Sequence, residues 1–497
     1  MQQLEKAGHE VFQLNCRGEL PSCYTNELRP GNKIKECLKC RVGSLYSYTS
    51  ENNTFIKKDI KETFSTEEAS QLTASSSFTL TRIEDPCDVQ TESVQAIQKR
   101  LKPAVEIVYA NAKKWIKEQR LDFVFFFNGR MDITRAVMHA CRDLNIKFCA
   151  IERTLFASGL QLNFNDNALS LNAIHKLHEQ FKDKPLNMEQ ALSAAGLLTT
   201  RFRKKEGLEW RTYNIDRTEV AWPTNGSGKK ILIMPSSKNE IWAESDWRNE
   251  WDEYPRIFEK VIEKLGGDYS NVVLRSHPNW GQNIGHASGE KIYNYYKNWC
   301  LTRGIEFIEP NSSISSSHLM TQADIVLLNG SSAVYESSVL AVPTICVSRC
   351  RYQFANLAKI ILSDKDLEDF EPQDLLNQSK PELIRRLLRF FYTYSTRYAI
   401  FRSDIVAQDI HHFRYSQTLD VLRLEKMMQT GELIPDDTTF ATNQEAEDEI
   451  IKLILNKQWN NLDPYQSASN KNLKKLSRRS AYKVVDIIRD QFERGDI

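Results

Sequence analysis

The chain lacks a dominant charge: 66 Lys and Arg stand against 65 Asp and Glu, a net charge of +1. No global field therefore argues for nucleic acid or an acidic polymer as partner. It lacks any apolar run approaching the roughly 20 residues that span a bilayer, and its N-terminus has no signal-peptide hydrophobic region. These absences predict a soluble, cytosolic protein with at most peripheral membrane contact. No short sequence period emerges, which argues against a solenoid. No strand precedes the helical stretch 1–8, so the first sheet is expected to lack its usual opening strand, or the chain to start late in it.

What is present is enough sequence, 497 residues, for two sizeable cores. The most informative stretch is Ala323 to Glu336. Ile325 to Leu328 is a short apolar run of the kind a doubly covered parallel strand requires, and Asn329-Gly330 breaks it. Ser331 or Ser332 then opens a helix whose mouth favours an anion, with Glu336 one turn further in. Upstream, Val272 to Leu274 is a second apolar strand, which delivers Arg275, His277 and Asn279 to its carboxyl end, where open α/β sheets bind ligands. A third, Lys230 to Pro235, leads into Ser236-Ser237-Lys238-Asn239-Glu240. Helices are predicted over 253–265 and 289–303, with a strand over 305–308.

The first half reads in the same way. A helix over 91–119 precedes the buried strand Leu121 to Phe127, then come the turn Asn128-Gly129-Arg130-Met131-Asp132, a helix over 133–144 and the strand Lys147 to Ile151. Asn128, Arg130 and Glu152 thus fall at two successive strand ends, side by side in a parallel sheet. A structural ion pair between Arg130 and Glu152 is the bland alternative. Residues 44–88 show little periodicity and read as loops or helices outside the sheet. Residues 164–224 read as helical and polar, with a basic cluster Arg201, Arg203, Lys204 and Lys205, and end in a linker before residue 226. Beyond about 367 the chain reads as helical and aromatic, then as a charged tail without further strands. The implied domains are 1–225, 226–366 and 367–497.

Ten cysteines would ordinarily be scattered reduced thiols, but Cys16, Cys23, Cys37 and Cys40 fall within 25 residues as C-x6-C-x13-C-x2-C. That spacing suits a structural zinc, or an iron–sulfur cluster, against the alternative of reduced or redox-labile thiols.

Together, Ile233 to Glu240, Arg275-x-His277-Pro278-Asn279, Ala323 to Glu336, and Asn128-Gly129-Arg130 with Glu152-Arg153 resemble bacterial capsular-polysaccharide biosynthesis proteins, glycosyltransferases of the two-Rossmann GT-B type. The likeness spans roughly residues 16–350 and includes the N-terminal cysteine pattern. Departures are the missing first strand, Asn329 before Gly330, and Thr154 after Arg153 where relatives often have Gly. The resemblance implies two Rossmann-like domains facing a cleft, a helical C-terminal extension and metal-independent catalysis. The nucleotide-sugar donor, CMP- or UDP-linked, would be held by Ser236, Ser237, Glu240, Arg275, His277, Asn279, Ser331, Ser332 and Glu336. The acceptor would be a glycan or lipid-linked glycan. Glu152 would act on the acceptor as base, or as nucleophile if configuration is retained, with Arg130 orienting it and Asp132 as second candidate. A nucleotide-sugar 2-epimerase, a CDP-glycerol-type phosphotransferase and a non-catalytic scaffold remain as alternatives. The phosphotransferase is disfavoured by Asn329 where an acidic residue is expected.

Overall fold

The structure is a computed structural model that describes residues 2–29, 31–47, 52–155, 158–200, 202–203, 218–251, 253–407, 413–416 and 419–462. Strands in chain order are β1 (Gln13–Asn15), β2 (Asn53–Phe55), β3 (Phe123–Phe127), β4 (Lys147–Arg153), β5 (Leu160–Phe164), β6 (Ile231–Ile233), β7 (Val272–Arg275), β8 (Glu306–Ile308), β9 (Ile325–Leu328), β10 (Thr344–Cys346), β11 (Lys359–Ile360), β12 (Ile405–Ala407) and β13 (Phe413–Tyr415).

The second half is a six-stranded sheet in the order β11-β10-β9-β6-β7-β8, every neighbouring pair parallel. Counted from β6, this is the doubly wound order 3-2-1-4-5-6 of a dinucleotide-binding sheet, with its switch point between β6 and β9. Both faces are covered, so the central strands β6 and β9 are apolar and buried at every position. Ile231, Ile233, Val272, Leu274, Ile325 and Leu327 pack on the helices Tyr254–Lys264 and Glu290–Arg303. Leu232, Val273, Val326, Leu328 and Cys346 face the opposite core.

That opposite core departs from a domain boundary at 225. The helices Asn172–Phe181 and Met188–Leu198 share it with the C-terminal helices Lys380–Tyr392 and Glu445–Leu455. Within this helical layer, Glu447 accepts Nε and Nη2 of Arg389, each at 2.8 Å, and the Leu186 amide at 2.9 Å, so its buried charge is paired.

The first half is smaller. β3 and β4 run parallel across the helix Asp132–Asp143, and β5 returns antiparallel to β4. β1 pairs in parallel with β2, a strand inside the stretch 44–88 that reads as loops or helices outside the sheet. The same stretch holds a helix, Thr66–Thr81, opened by a capping box between Ser65 and Glu68. Periodicity misses this helix because Thr73, Ser75, Ser76 and Ser77 are buried on it. Several of its hydroxyls bond back to carbonyls of the preceding turn, Thr73 to Ala69 at 2.7 Å and Thr79 to Ser75 at 2.8 Å, which lowers the cost of enclosing them. Near the end of the described chain Ile400, Phe401, Leu424 and Met427 cross back to pack with Cys149 and Leu162 of the first half. Here the antiparallel pair β12–β13 corrects the expectation of no strands beyond 367. The basic residues Arg201, Lys204 and Lys205, and the tail beyond 462, lie outside the described residues. No described helix is long and apolar enough to cross a membrane.

The halves meet through buried polar contacts. Arg82 ends the Thr66–Thr81 helix in a left-handed conformation, φ 50° and ψ 47°, and its guanidinium donates to the carbonyls of Gln282 at 2.7 Å and Asn279 at 2.8 Å. Two residues on, Glu84 accepts the Lys238 amide at 2.9 Å and the Tyr296 hydroxyl at 3.0 Å. Glu244 accepts Arg135 at 3.1 Å and Asn167 at 2.9 Å. Burial pushes the Glu84 carboxyl up to about 7, against the pull of the Lys238 amide. A carboxyl that holds its proton more tightly when folded stabilises the fold at low pH, and that stability is lost as pH rises from the usual carboxylate value through about 7. Thermal unfolding measured from pH 4 to 8 should therefore show a falling segment that Glu84→Gln flattens; a variant whose curve runs parallel to wild type would mean that Glu84 is not the titrating group.

Candidate functional site

At the end of β3, Asn128 adopts φ 63° and Gly129 φ 77°, a left-handed pair that an Asn and a Gly tolerate. A Cβ on Gly129 would also stand 2.9 Å from the Phe126 ring. The turn aims the Asn128 amide two ways: Oδ1 accepts the Arg130 amide at 3.0 Å and Nδ2 donates to Glu152 Oε2 at 2.5 Å. Glu152 Oε1 takes the Arg153 amide at 2.8 Å. The half-buried Glu152 carboxylate at the end of β4 is thus fixed by neutral donors.

Arg130 does not orient Glu152, which corrects the sequence expectation and its ion-pair alternative alike. Its Nη1 donates to Ser75 and Thr79, both at 3.0 Å, and its Nη2 lies 3.7 Å from Glu240 Oε1 of the second half. The hydroxyl-lined helix supplies those acceptors, a direction no local pattern encodes. Asp132 is 1% exposed. It accepts the Ser76 hydroxyl at 3.3 Å and the Tyr24 amide at 3.1 Å, and burial raises its carboxyl to about 6. It ties three segments together from inside the protein.

Across the interface, the loop after β6 is held at successive residues. Asn329 is 2% exposed, accepts the Ser236 amide at 2.6 Å and donates to the Ser236 carbonyl at 2.9 Å. This two-way amide clamp joins the loops of β6 and β9 at the switch point and gives the unexpected Asn329 a physical reason. Ser237 accepts Trp280 Nε1 at 2.8 Å, and Trp280 stacks on Tyr296 at 4.6 Å with a 5° interplanar angle. The Lys238 ammonium lies over the Tyr254 and Trp242 rings at 3.8 and 4.3 Å. Glu240 is exposed and faces Arg130.

After β7, Arg275 departs from the expectation that it faces a phosphate. It is 3% exposed and donates to the carbonyls of Glu309 at 2.5 Å and Ser312 at 3.1 Å, bracing the loop after β8. His277 remains at the strand end; its Nδ1 accepts the Asn279 amide at 3.2 Å, which leaves the ring proton on Nε2 when the imidazole is neutral. Asn279 is part-exposed, and its carbonyl takes Arg82. After β9, Ser331 Oγ accepts the Ala333 amide at 3.3 Å, whereas Ser332, exposed, makes no side-chain cap. The helix Ala333–Val339 is seven residues long, and Glu336 is part-exposed one turn in.

Cys16, Cys23, Cys37 and Cys40 are free thiols gathered near one another: the charge of Cys16 acts on both Cys23 and Cys40, and that of Cys37 on Cys40. Cys16 Sγ accepts the Gly18 amide at 3.3 Å. Burial pushes the Cys23 thiol up to about 12. Among the described residues no three His, Cys, Asp or Glu side chains are disposed to hold a metal ion. The segment has another effect on the site. Cys23 precedes the short helix Tyr24–Leu28, and the Tyr24 phenol, raised by burial, lies in the field of Arg130, Glu240 and Asp132.

Sequence reasoning missed Tyr24, Arg82, Glu84, Arg135 and Glu244, whose partners are all distant in sequence.

No family model and no curated protein sequence matches the chain. Solved structures similar to it include a Thermosulfurimonas dismutans KpsC, beta Kdo 2,4 transferase, 14% identical over 67% of this chain and 87% of that one, with a TM-score of 0.34. The UDP-GlcNAc 2-epimerase of Methanocaldococcus jannaschii is 14% identical over 56% and 76%, with a TM-score of 0.27. The Streptomyces sp. SF2575 glycosyltransferase SsfS6, complexed with thymidine diphosphate, is 11% identical over 79% and 90%, with a TM-score of 0.22. The α/β assignment rests on this chain's own strand order: a doubly wound sheet in the second half, and in the first half the parallel pair β3–β4 with its antiparallel edge strand β5.

Proposed function

We propose that this protein is a glycosyltransferase that moves a sugar from a CMP- or UDP-linked donor to a growing surface glycan. The observation that carries the reading is the opposition of two strand-end clusters. The doubly wound half brings the loops of β6, β7 and β9 together at its switch point, where a nucleotide is expected. The first half turns Glu152 and Arg130 to its own strand ends, and Arg130 reaches Glu240 across the interface.

In this reading, hydroxyl and backbone donors of Ser236, Ser237, Ser331 and Ser332 stabilise the charge developing on the leaving phosphate, with His277 Nε2 as a further donor. Glu336 accepts from a ribose hydroxyl. Asn279 and Glu240 line the donor side, and Arg275 holds the surrounding loop in place. Glu152 removes the proton of the acceptor hydroxyl as that oxygen attacks the anomeric carbon and the nucleotide phosphate departs. Its bonds from Asn128 and the Arg153 amide fix its direction while leaving lone pairs to accept. Asp132 is assigned a positioning role, because Ser76 and Tyr24 already engage its two oxygens. The acceptor, a glycan or lipid-linked glycan, would approach from the side of the first half, at the inner face of the membrane.

Incubation with a panel of nucleotide sugars tests the reading: nucleotide release that depends on a glycan acceptor supports it, whereas an epimer formed without acceptor makes the protein an epimerase. Replacing His277 and Glu336 singly by Ala should weaken nucleotide binding about tenfold to a hundredfold, the loss of a bond involving a charged group. Unchanged titrations in both variants would move the donor site elsewhere. Glu152→Gln keeps the side-chain shape and should bind nucleotide near normally while turnover falls by about 10²-fold or more. Transfer at close to the wild-type rate would make Glu152 a structural residue.

A further inference from the structure

Two arginines leave β10 on one loop, and their surroundings differ. Arg349 donates through Nε to the Arg248 carbonyl at 2.6 Å. The Arg351 guanidinium has no hydrogen-bond or ion-pair partner among the described residues. It lies 5.7 Å from the Trp247 ring centroid, in the field of Tyr335, Tyr394, Tyr398 and Glu240, and the residue is part-exposed. Tyr335 beside it is 8% exposed, yet its hydroxyl also has no hydrogen-bond partner among the described residues. Phe391 packs edge-on against the Tyr335 ring at 5.2 Å, and Phe390 stacks on it at 6.2 Å, so the aromatic body is fixed while the hydroxyl is unengaged.

The Arg351 guanidinium and the Tyr335 hydroxyl thus keep donors that no protein group among the described residues takes up, whereas the buried arginines Arg130, Arg135, Arg275, Arg385 and Arg389 all hold carboxylates, hydroxyls or carbonyls. The exception stands beside the donor loops. The Tyr352 hydroxyl donates to the Ser331 carbonyl at 3.1 Å, and a Cβ on Gly330 would lie 3.5 Å from the Arg349 carbonyl. The loop carrying Arg351 therefore abuts the turn after β9.

We propose that Arg351 and Tyr335 form an anion subsite at the base of the interface, accepting a phosphate of the nucleotide donor or the carboxylate of an acidic sugar attached to it. The guanidinium fork offers two parallel donors to either planar oxygen pair, and the phenol offers a third. This rests on the nucleotide-sugar reading, and the two fail separately in the following experiment.

Wild type, Arg351→Gln, Arg351→Lys and Tyr335→Phe are titrated calorimetrically with CMP, UDP, cytidine, uridine, a CMP-linked acidic sugar, pyrophosphate and glucuronate, with the fold checked by circular dichroism. Arg351→Gln should lose about tenfold to a hundredfold in affinity for the anionic ligand and none for the nucleosides. Arg351→Lys should recover part of the loss, and Tyr335→Phe should cost severalfold. A loss already present with CMP or UDP identifies phosphate as the anion; a loss that appears only with the acidic sugar identifies the carboxylate. Anions binding to Arg351→Gln as to wild type, or nucleosides weakening equally, overturns the subsite. If no nucleotide binds wild type, the glycosyltransferase reading falls. Pyrophosphate and glucuronate then decide the subsite: binding that Arg351→Gln abolishes sustains it, and no binding to wild type removes it.

Discussion

The loop that follows β6 is the part on which the rest depends, because both halves of the protein hold it through buried polar groups. Glu84 accepts its Lys238 amide, and Glu244, seven residues after Ser237, is gripped by Arg135 and Asn167. Asn329 binds its Ser236 peptide in both directions. Removing one member of such a set leaves a desolvated partner, which costs more than the intact bond contributes. The loop therefore has one low-energy position, and that position sets the interface between the halves. Glu84 and Arg82 are two residues apart, so a single short segment fixes both the β6 loop and the loop after His277.

Neutral amides do the positioning on both sides of the interface. Asn128 holds Glu152 through a hydrogen bond and without a countercharge. Asn329 performs the equivalent task at the switch point. The charged residues are turned elsewhere: Arg275 to carbonyls, Arg130 to hydroxyls and Glu240, Glu447 to the C-terminal arginines. Arg351 breaks this pattern, which is why it attracts a ligand anion in our account.

Much of the fold was legible in sequence. β6, β7 and β9 read directly from continuous apolar runs, because strands covered on both faces admit little else. The helix Glu92–Glu118 and the turn at Asn128-Gly129 also stood where they were read. The helix Thr66–Thr81 did not, since its buried face is made of hydroxyls that serve Arg130 and Asp132. The sharing of a core between helices before residue 225 and those after 380 was equally hidden, because chain order does not state which layer covers which sheet face. Site residues followed the same division. Strand-end position was readable, but the direction of a long side chain is decided by partners distant in sequence. Arg275 and Arg130 sit at the predicted ends and point away from the predicted partners.

The central claim is that the strand-end loops of the second half bind a nucleotide facing Glu152. Hydrogen–deuterium exchange measured with and without saturating CMP and UDP tests it most directly. Added protection is expected in residues 236–240, 277–282 and 329–332 with at least one nucleotide, and little change in the helix Glu445–Leu455 of the C-terminal layer. Protection confined to segments away from these loops, or no protection with either nucleotide under conditions where the protein is folded, would contradict it.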